Sequence, residues 1–229
     1  MKYLINFYIK KIKKEQYEID SNIPSSYLVL LAIRRFYMLL KGSLSFINKK
    51  GILFIGHHVE IKSRSKISIG YGVTIDDYCY IDALSKEGIV LGNNVSVGKR
   101  TVIECTGNLK FLGKGLTVQD NVGLGTDSFY GCAGGIRIGS DTIIGNYVSL
   151  HSENHNYLDS NIPIRLQGVN HRGIVIGNNC WIGAKATILD GATLMDGCII
   201  TAGAVVTAGV YEADGIYGGV PARLLKKRF

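Results

Sequence analysis

From Ile69 to Val206 an aliphatic residue recurs every six positions, usually followed by glycine, with a small or β-branched residue four places after it. Ile69, Ile75 and Ile81 form one set of three, and Leu91, Val97 and Ile103 a second. Leu112, Val118 and Leu124 read as a third, and Ile138, Ile144 and Leu150 as a fourth. Ile176, Ile182 and Ile188 then join Leu194, Ile200 and Val206 without a spacer, and a partial set precedes them all at Ile55 and Ile61. A period of six matches neither the 3.6 of a helix nor the 2 of a half-buried strand. It fits a coil with three short sides, each a brief strand and a turn with one aliphatic residue pointing at the axis. Stacked coils then pair as parallel strands ~4.8 Å apart. The glycine or asparagine after each aliphatic residue is expected to turn the corner, often with φ > 0.

Composition fits one such domain with an appendage. Hydrophobic residues make up 46% of the 229, enough for a core, and 29 glycines with only 3 prolines exclude collagen and disorder. The net charge of +8 is unevenly placed, with +7 in residues 1–50, −3 in 51–222 and +4 after Ala222. The middle of the chain therefore offers no nucleic-acid surface, and no nucleic-acid partner is expected. Five cysteines without a C-x-x-C suggest neither a disulfide frame nor a zinc site. Cys79, Cys180 and Cys198 fall on small-residue positions of the repeat, which reads as packing in a reducing cytoplasm.

The chain divides into a basic amphipathic segment over 1–50 and a repeat domain over 51–229 with a projecting loop at 151–175. No secretory signal is expected, because lysines interrupt the start before a long apolar run develops. Tyr27 to Ile47 is long enough to span a bilayer, but Arg34 and Arg35 would lie mid-membrane at ~2.5–3.5 kcal/mol each. An amphipathic helix is the expectation. It packs either on the rest of the fold or on a neighbouring subunit, or it rests on an anionic membrane surface.

Between Leu150 and Ile176 lie twenty residues more than one side requires, opening with "HSENHNY". An insertion in a solenoid projects outward and commonly carries function. This one contains His151, Glu153, His155, Arg165, His171 and Arg172. Histidine suits the removal of a hydroxyl proton near neutral pH. A metal site from His151, His155 and His171 lacks tight ligand spacing, so no metal is expected.

The hexads, with "NHNYLDSNIPIRLQGVNHRGIVIGNNCWIGAKATIL" and "GGVPARLLKKRF", resemble the hexapeptide-repeat acyltransferases, in particular the sugar O-acetyltransferase branch that includes maltose and galactoside acetyltransferases. The resemblance covers about residues 51–229. It implies an all-β solenoid, a left-handed parallel β-helix, with a short C-terminal helix or tail. It also implies a homotrimer and acetyl-CoA as acyl donor, with a carbohydrate acceptor. On the family's motif His155 takes the position of the catalytic base, and Asn121 that of an asparagine beneath it. Glu153 stands either to orient the imidazole or to bind the acceptor, and Asp127, Ser128 and Tyr130 are acceptor-contact candidates in a spacer, Thr126–Gly135, expected to project near the loop. For acetyl-CoA the matching positions are Trp181, Ala184, Ala202, Thr207, Arg223 and Lys226. The family often has lysine after "VVT" where this chain has Ala208, which leaves a phosphate contact to another residue such as Lys185. The implied activity is O-acetylation of a sugar in a surface polysaccharide or its precursor. N-acetylation of an amino-sugar nucleotide and a non-catalytic β-helix scaffold are the alternatives. The expected location is the cytoplasm, with residues 1–50 touching the inner face of the membrane.

Overall fold

The computed structural model describes residues 19–45 and 51–229. Lys10, Lys11, Lys13 and Lys14 and the end of the expected helix at Ile47 lie outside the described residues. Among the described residues the strands form three sheets of nine, seven and seven strands, plus one two-stranded hairpin. The chain visits the sheets in turn as faces I, II and III of a prism, the left-handed parallel β-helix that the family resemblance implies. On face II the six-position residues stack in register as Ile61, Ile81, Ile103, Tyr130, Leu150, Ile188 and Val206. All seven are buried, and the other two faces contribute matching ladders to the same core. All five cysteines are free and buried. Burial pushes the Cys79 thiol up to about 11, so it packs as a small apolar group and is not a nucleophile.

Two expectations need correction. Leu112 is not an inward rung: it is 42% exposed, and the third set is Val118, Leu124 and Tyr130. Nor is Thr126–Gly135 a spacer, because it contains the face II strand Phe129–Gly131. The hexads read one side out of phase there, since an aromatic residue fills the axial position. With the phase restored, every lengthening falls at one corner. The intervals from face II rung to face III rung, starting from Ile61, are 8, 10, 15, 8 and 26 residues where six suffice between Ile188 and Leu194.

The corners also work differently from expectation. Gly125 and Gly145, directly after their aliphatic residues, do not have positive φ; a Cβ on Gly125 would meet the Gly145 carbonyl oxygen at 1.8 Å. These glycines exist for close approach of backbone between coils. The left-handed residues come two or three places later. At the corner between faces III and I they are Asn94, Asn121, Asp141, Asn179 and Asp214, types that tolerate φ > 0.

Helix α1, Ser25–Ser45, lies against the first strand of face I, with Leu28, Met38 and Gly42 buried. Its cations face inward. Arg34 pairs with Asp76 and Asp77, Arg35 donates to Thr74 Oγ1 at 3.0 Å, and Lys41 donates to the Gly56 carbonyl at 2.6 Å. Burial alone would raise the Asp77 carboxyl, but the His57 amide and Arg34 hold it below the usual range. At the other end no helix forms after Pro221. Arg223–Lys227 is a strand that returns antiparallel along Gly215–Gly218, because the open edge of face I offers it a ladder.

The long insertion leaves the II/III corner as a hairpin of Asn154–His155 against Val169–Asn170. Gln167 closes its tip, donating to the Asp159 and Ile162 carbonyls at 2.7 and 2.6 Å. Its base is held by Asp190, 3% exposed, which accepts from the Arg172 and Gly173 amides and from Asn154 Nδ2. Asp190→Ala leaves those donors without their acceptor at a cost of about 1–3 kcal/mol. We expect a lower Tm and faster amide exchange across 154–170; unchanged exchange there would show that the loop is anchored elsewhere.

Candidate functional site

Three outward positions on face II lie side by side in register: Glu104, Gly131 and His151. Two rungs of a parallel sheet put Glu104 and His151 roughly 10 Å apart. Gly131 between them carries no side chain, so a pocket of ≈170 Å³ opens there. Glu104, Phe129, Gly131, Ala133, His151, Ser152 and Glu153 line it. The ring of Phe129 lies 5.4 Å from that of His151, and a 2.6 Å hydrogen bond links Ser149 Oγ to His151 Nε2. Burial pushes the His151 imidazole below its ordinary pKa, which keeps it neutral at pH 7 and able to accept a hydrogen bond or a proton. The sequence points to Glu153 and gives no sign of Glu104 or Phe129. Only their common outward parity on adjacent coils, visible once the third set is in phase, could have pointed to them.

His155 lies two residues beyond Glu153, on the hairpin strand Asn154–His155, exposed, and its imidazole has no partner among the described residues. Asn121 is elsewhere. It sits at the III/I corner with φ +60°, accepting from Asn94 Nδ2 at 3.0 Å and donating to Asp141 at 2.9 Å. Its amide belongs to a corner ladder, and one chain does not bring it to His155. Asp127 is at the I/II corner, paired with Arg100 at 2.7 Å, which holds its carboxyl below the usual range. Ser128 and Tyr130 are buried in the prism, so neither reaches an acceptor. The expectation for these three positions is a place beside the loop; instead they lead from the I/II corner into the face II strand Phe129–Gly131.

The residues expected to bind the donor gather on the other side. Trp181 is on the outer surface of face I, 55% exposed, in register with Ile143 and Ile199. Ala184 and Ala202 are exposed and stacked at the I/II corner, where the Gly203 amide donates to the Ala184 carbonyl at 2.9 Å. Lys185 shares that corner with φ +60°. Arg223 and Lys226 are exposed on the returning strand of face I. Thr207 departs from the group: it lies just past the face II strand Val205–Val206, its amide donating to Tyr211 Oη at 3.1 Å. Face II thus separates the I/II corner from the II/III corner, by a distance on the order of 20 Å for six residues at ~3.3 Å each.

Residues 173–208 match the family model described as bacterial transferase hexapeptide (six repeats). A probable acetyltransferase of Mycobacterium tuberculosis is 28% identical over 162 residues, which cover 69% of this chain and 45% of that protein. The chain therefore spans about half the length of the curated relative it matches. The N-acyltransferase AntD from Bacillus cereus, in complex with dTDP and 3-hydroxybutyryl-CoA, superposes with a TM-score of 0.51 at 22% identity, over 82% of this chain and 88% of AntD. A point mutant of the same enzyme, in complex with dTDP and Coenzyme A, gives a TM-score of 0.53 at 16% identity over 93% of this chain and 92% of that one. At those identities the likeness speaks for the fold. Residues 173–208 thus carry repeats that match the bacterial transferase hexapeptide model, within a parallel β-helix whose fold is shared with these acyltransferase structures.

Proposed function

We propose that the chain transfers an acetyl group from acetyl-CoA to a sugar hydroxyl, in a surface polysaccharide or its precursor, with His155 as general base. The observation that carries this reading is the II/III corner, where one loop strand presents an unpartnered imidazole two residues from a ring-sized pocket. In the step proposed, the acceptor oxygen attacks the thioester carbonyl while His155 takes its proton. The C–S bond breaks, and the thiolate leaves and recovers that proton from the imidazolium. N-acyl transfer to an amino sugar is the second reading, and the carboxylates of Glu104 and Glu153 favour it by their charge. His155→Ala should lower kcat by ~10²–10⁴-fold while CoA binding is retained, the range for loss of a general base. His151→Gln should act mainly on acceptor KM. The reverse pattern, read from CoA release against a panel of sugars, would exchange the two roles.

The reading also calls for more than one copy. Reacting atoms must approach ~3–3.5 Å, yet Ala184, Lys185 and Ala202 lie at one edge of face II and His155 at the other. Setting the II/III corner of one copy beside the I/II corner of the next completes the site, and a ring of three closes this heterologous contact. The loop tip suits such a neighbour, since Tyr157, Leu158, Ile162, Ile164 and Leu166 are all exposed apolar residues. Light scattering should give three chains per particle, and Leu158→Glu should lower both the mass and the activity. A fully active monomer would overturn the shared site.

Among the described residues no helix is long and apolar enough to cross a membrane. Peripheral contact through residues 1–50 is proposed in a form different from the sequence expectation. The arginines of α1 are occupied by the β-helix, and the outward side shows Leu30, Ile33, Phe36, Tyr37 and Leu44. Contact would be through that apolar side, with the net charge of +7 in 1–50 adding attraction to an anionic leaflet. The full chain should float with anionic liposomes, and Leu30→Glu with Tyr37→Glu should abolish this; flotation unaffected by the pair would place the contact elsewhere.

A further inference from the structure

The pocket on face II does not stand alone. Around the same II/III corner, on the face III side, a second pocket of ≈90 Å³ is lined by Lys114, Arg137, Arg172, Glu87 and the glycines 115, 134, 135 and 173. The first pocket reaches Ala133 and the second begins at Gly134, consecutive residues ~3.8 Å apart, so the two are neighbours around the corner. Their chemistry is opposite. The face II pocket holds Glu104, Glu153 and a neutral imidazole beside an aromatic ring. The face III pocket gathers three cations against one carboxylate, Glu87, whose distance to Lys114 Nζ is 4.0 Å. Arg137 projects outward between Thr117 and Val175 of the adjacent coils, and its guanidinium and that of Arg172 have no ion-pair partner among the described residues. The glycines, three of them with φ of +132°, +93° and +88° at 115, 135 and 173, carry no side chain that would close the space between the cations.

Size points the same way as charge. A cavity of ~150 Å³ takes up a benzene ring, so the pocket on face II suits one six-membered ring. The smaller one has room for about three waters at ~30 Å³ each, which suits a phosphate and not a second ring. Cations set around such a volume recognise phosphate oxygens by charge-assisted hydrogen bonds.

We propose that the II/III corner binds a sugar joined to a phosphate or diphosphate, with the anion among Lys114, Arg137 and Arg172 and the sugar ring among Glu104, Phe129, His151 and Glu153. This deepens the acyl-transfer reading by naming the class of its acceptor, and rests on that reading for the ligand's role, not for its binding. Phosphate and ring then clamp the acceptor at two points. A hydroxyl or amine of the ring is left beside the loop strand that carries His155.

The test is calorimetry on the full chain with glucose, glucose 1-phosphate, UDP-glucose, prenyl-diphosphate-linked glucose and inorganic pyrophosphate. We expect glucose 1-phosphate to bind at least tenfold more tightly than glucose. The double variant Arg137→Gln, Arg172→Gln should erase that difference; both side chains are exposed, so circular dichroism should be unchanged. Glu104→Gln should weaken glucose 1-phosphate and leave pyrophosphate as it was. Tighter binding of either carrier-linked sugar supports the proposal, and the stronger of the two identifies the source of the phosphate. Equal affinity for glucose and glucose 1-phosphate, or a preference that survives the double arginine variant, would overturn it. CoA release is followed in parallel. Phospho-sugar binding without thioester turnover on any acceptor would remove the acyltransferase reading and leave this site standing. Equal turnover of free and phosphate-linked sugars would do the opposite.

Discussion

The structure depends on backbone lying directly on backbone. Each coil is hydrogen-bonded to the next along three faces, and at the corners the approach is so close that glycine alone fits at positions such as Gly125 and Gly145. That contact sets the length of a side at six residues, because a longer side would move the corner out of line with the one beneath it. It also confines variation. An extra residue within a face would turn every following side chain from core to solvent, so lengthening is tolerated only where the chain has already left the ladder. In this protein that place is the II/III corner, and the lengthened intervals accumulate there.

Concentrating the insertions on one corner has a chemical consequence. The II/III corner collects His151, Glu153, His155, Arg172 and Lys114 within a few coils. The rigid ladder beneath positions them. His151 is the last residue of a face II strand, and Asp190, on the coil after the loop, holds the base of the hairpin that bears His155. Loop chemistry on a stiff platform is the general solution for a site that must be both variable and precise.

The N-terminal helix follows a different logic. Its cations are used internally, against Asp76, Asp77, Thr74 and the Gly56 carbonyl at the opening coil. The helix therefore covers the start of the prism and turns apolar side chains outward, so its surface character is the inverse of what its arginines alone suggest.

How much of this was legible in the residues depends on whether the determining interaction is periodic. The hexads alone determined the coil, its three sides, the axial ladder and the existence of the loop at 151–175, because a backbone stacked on itself imposes its period on every side chain. They misled at Tyr130, where an aromatic residue took an axial position and shifted the reading of one set by a side. With that set out of phase, Asp127, Ser128 and Tyr130 read as parts of a projecting spacer, when two are buried in the prism and the third is tied to Arg100. Only the tertiary structure decided which residues from different coils share a pocket. Glu104, Gly131 and His151 are 27 and 20 positions apart, and nothing local links them. Their meeting rests on unequal corner lengths between coils, which cancel in space because every excess leaves the ladder at the same edge and returns to it in register.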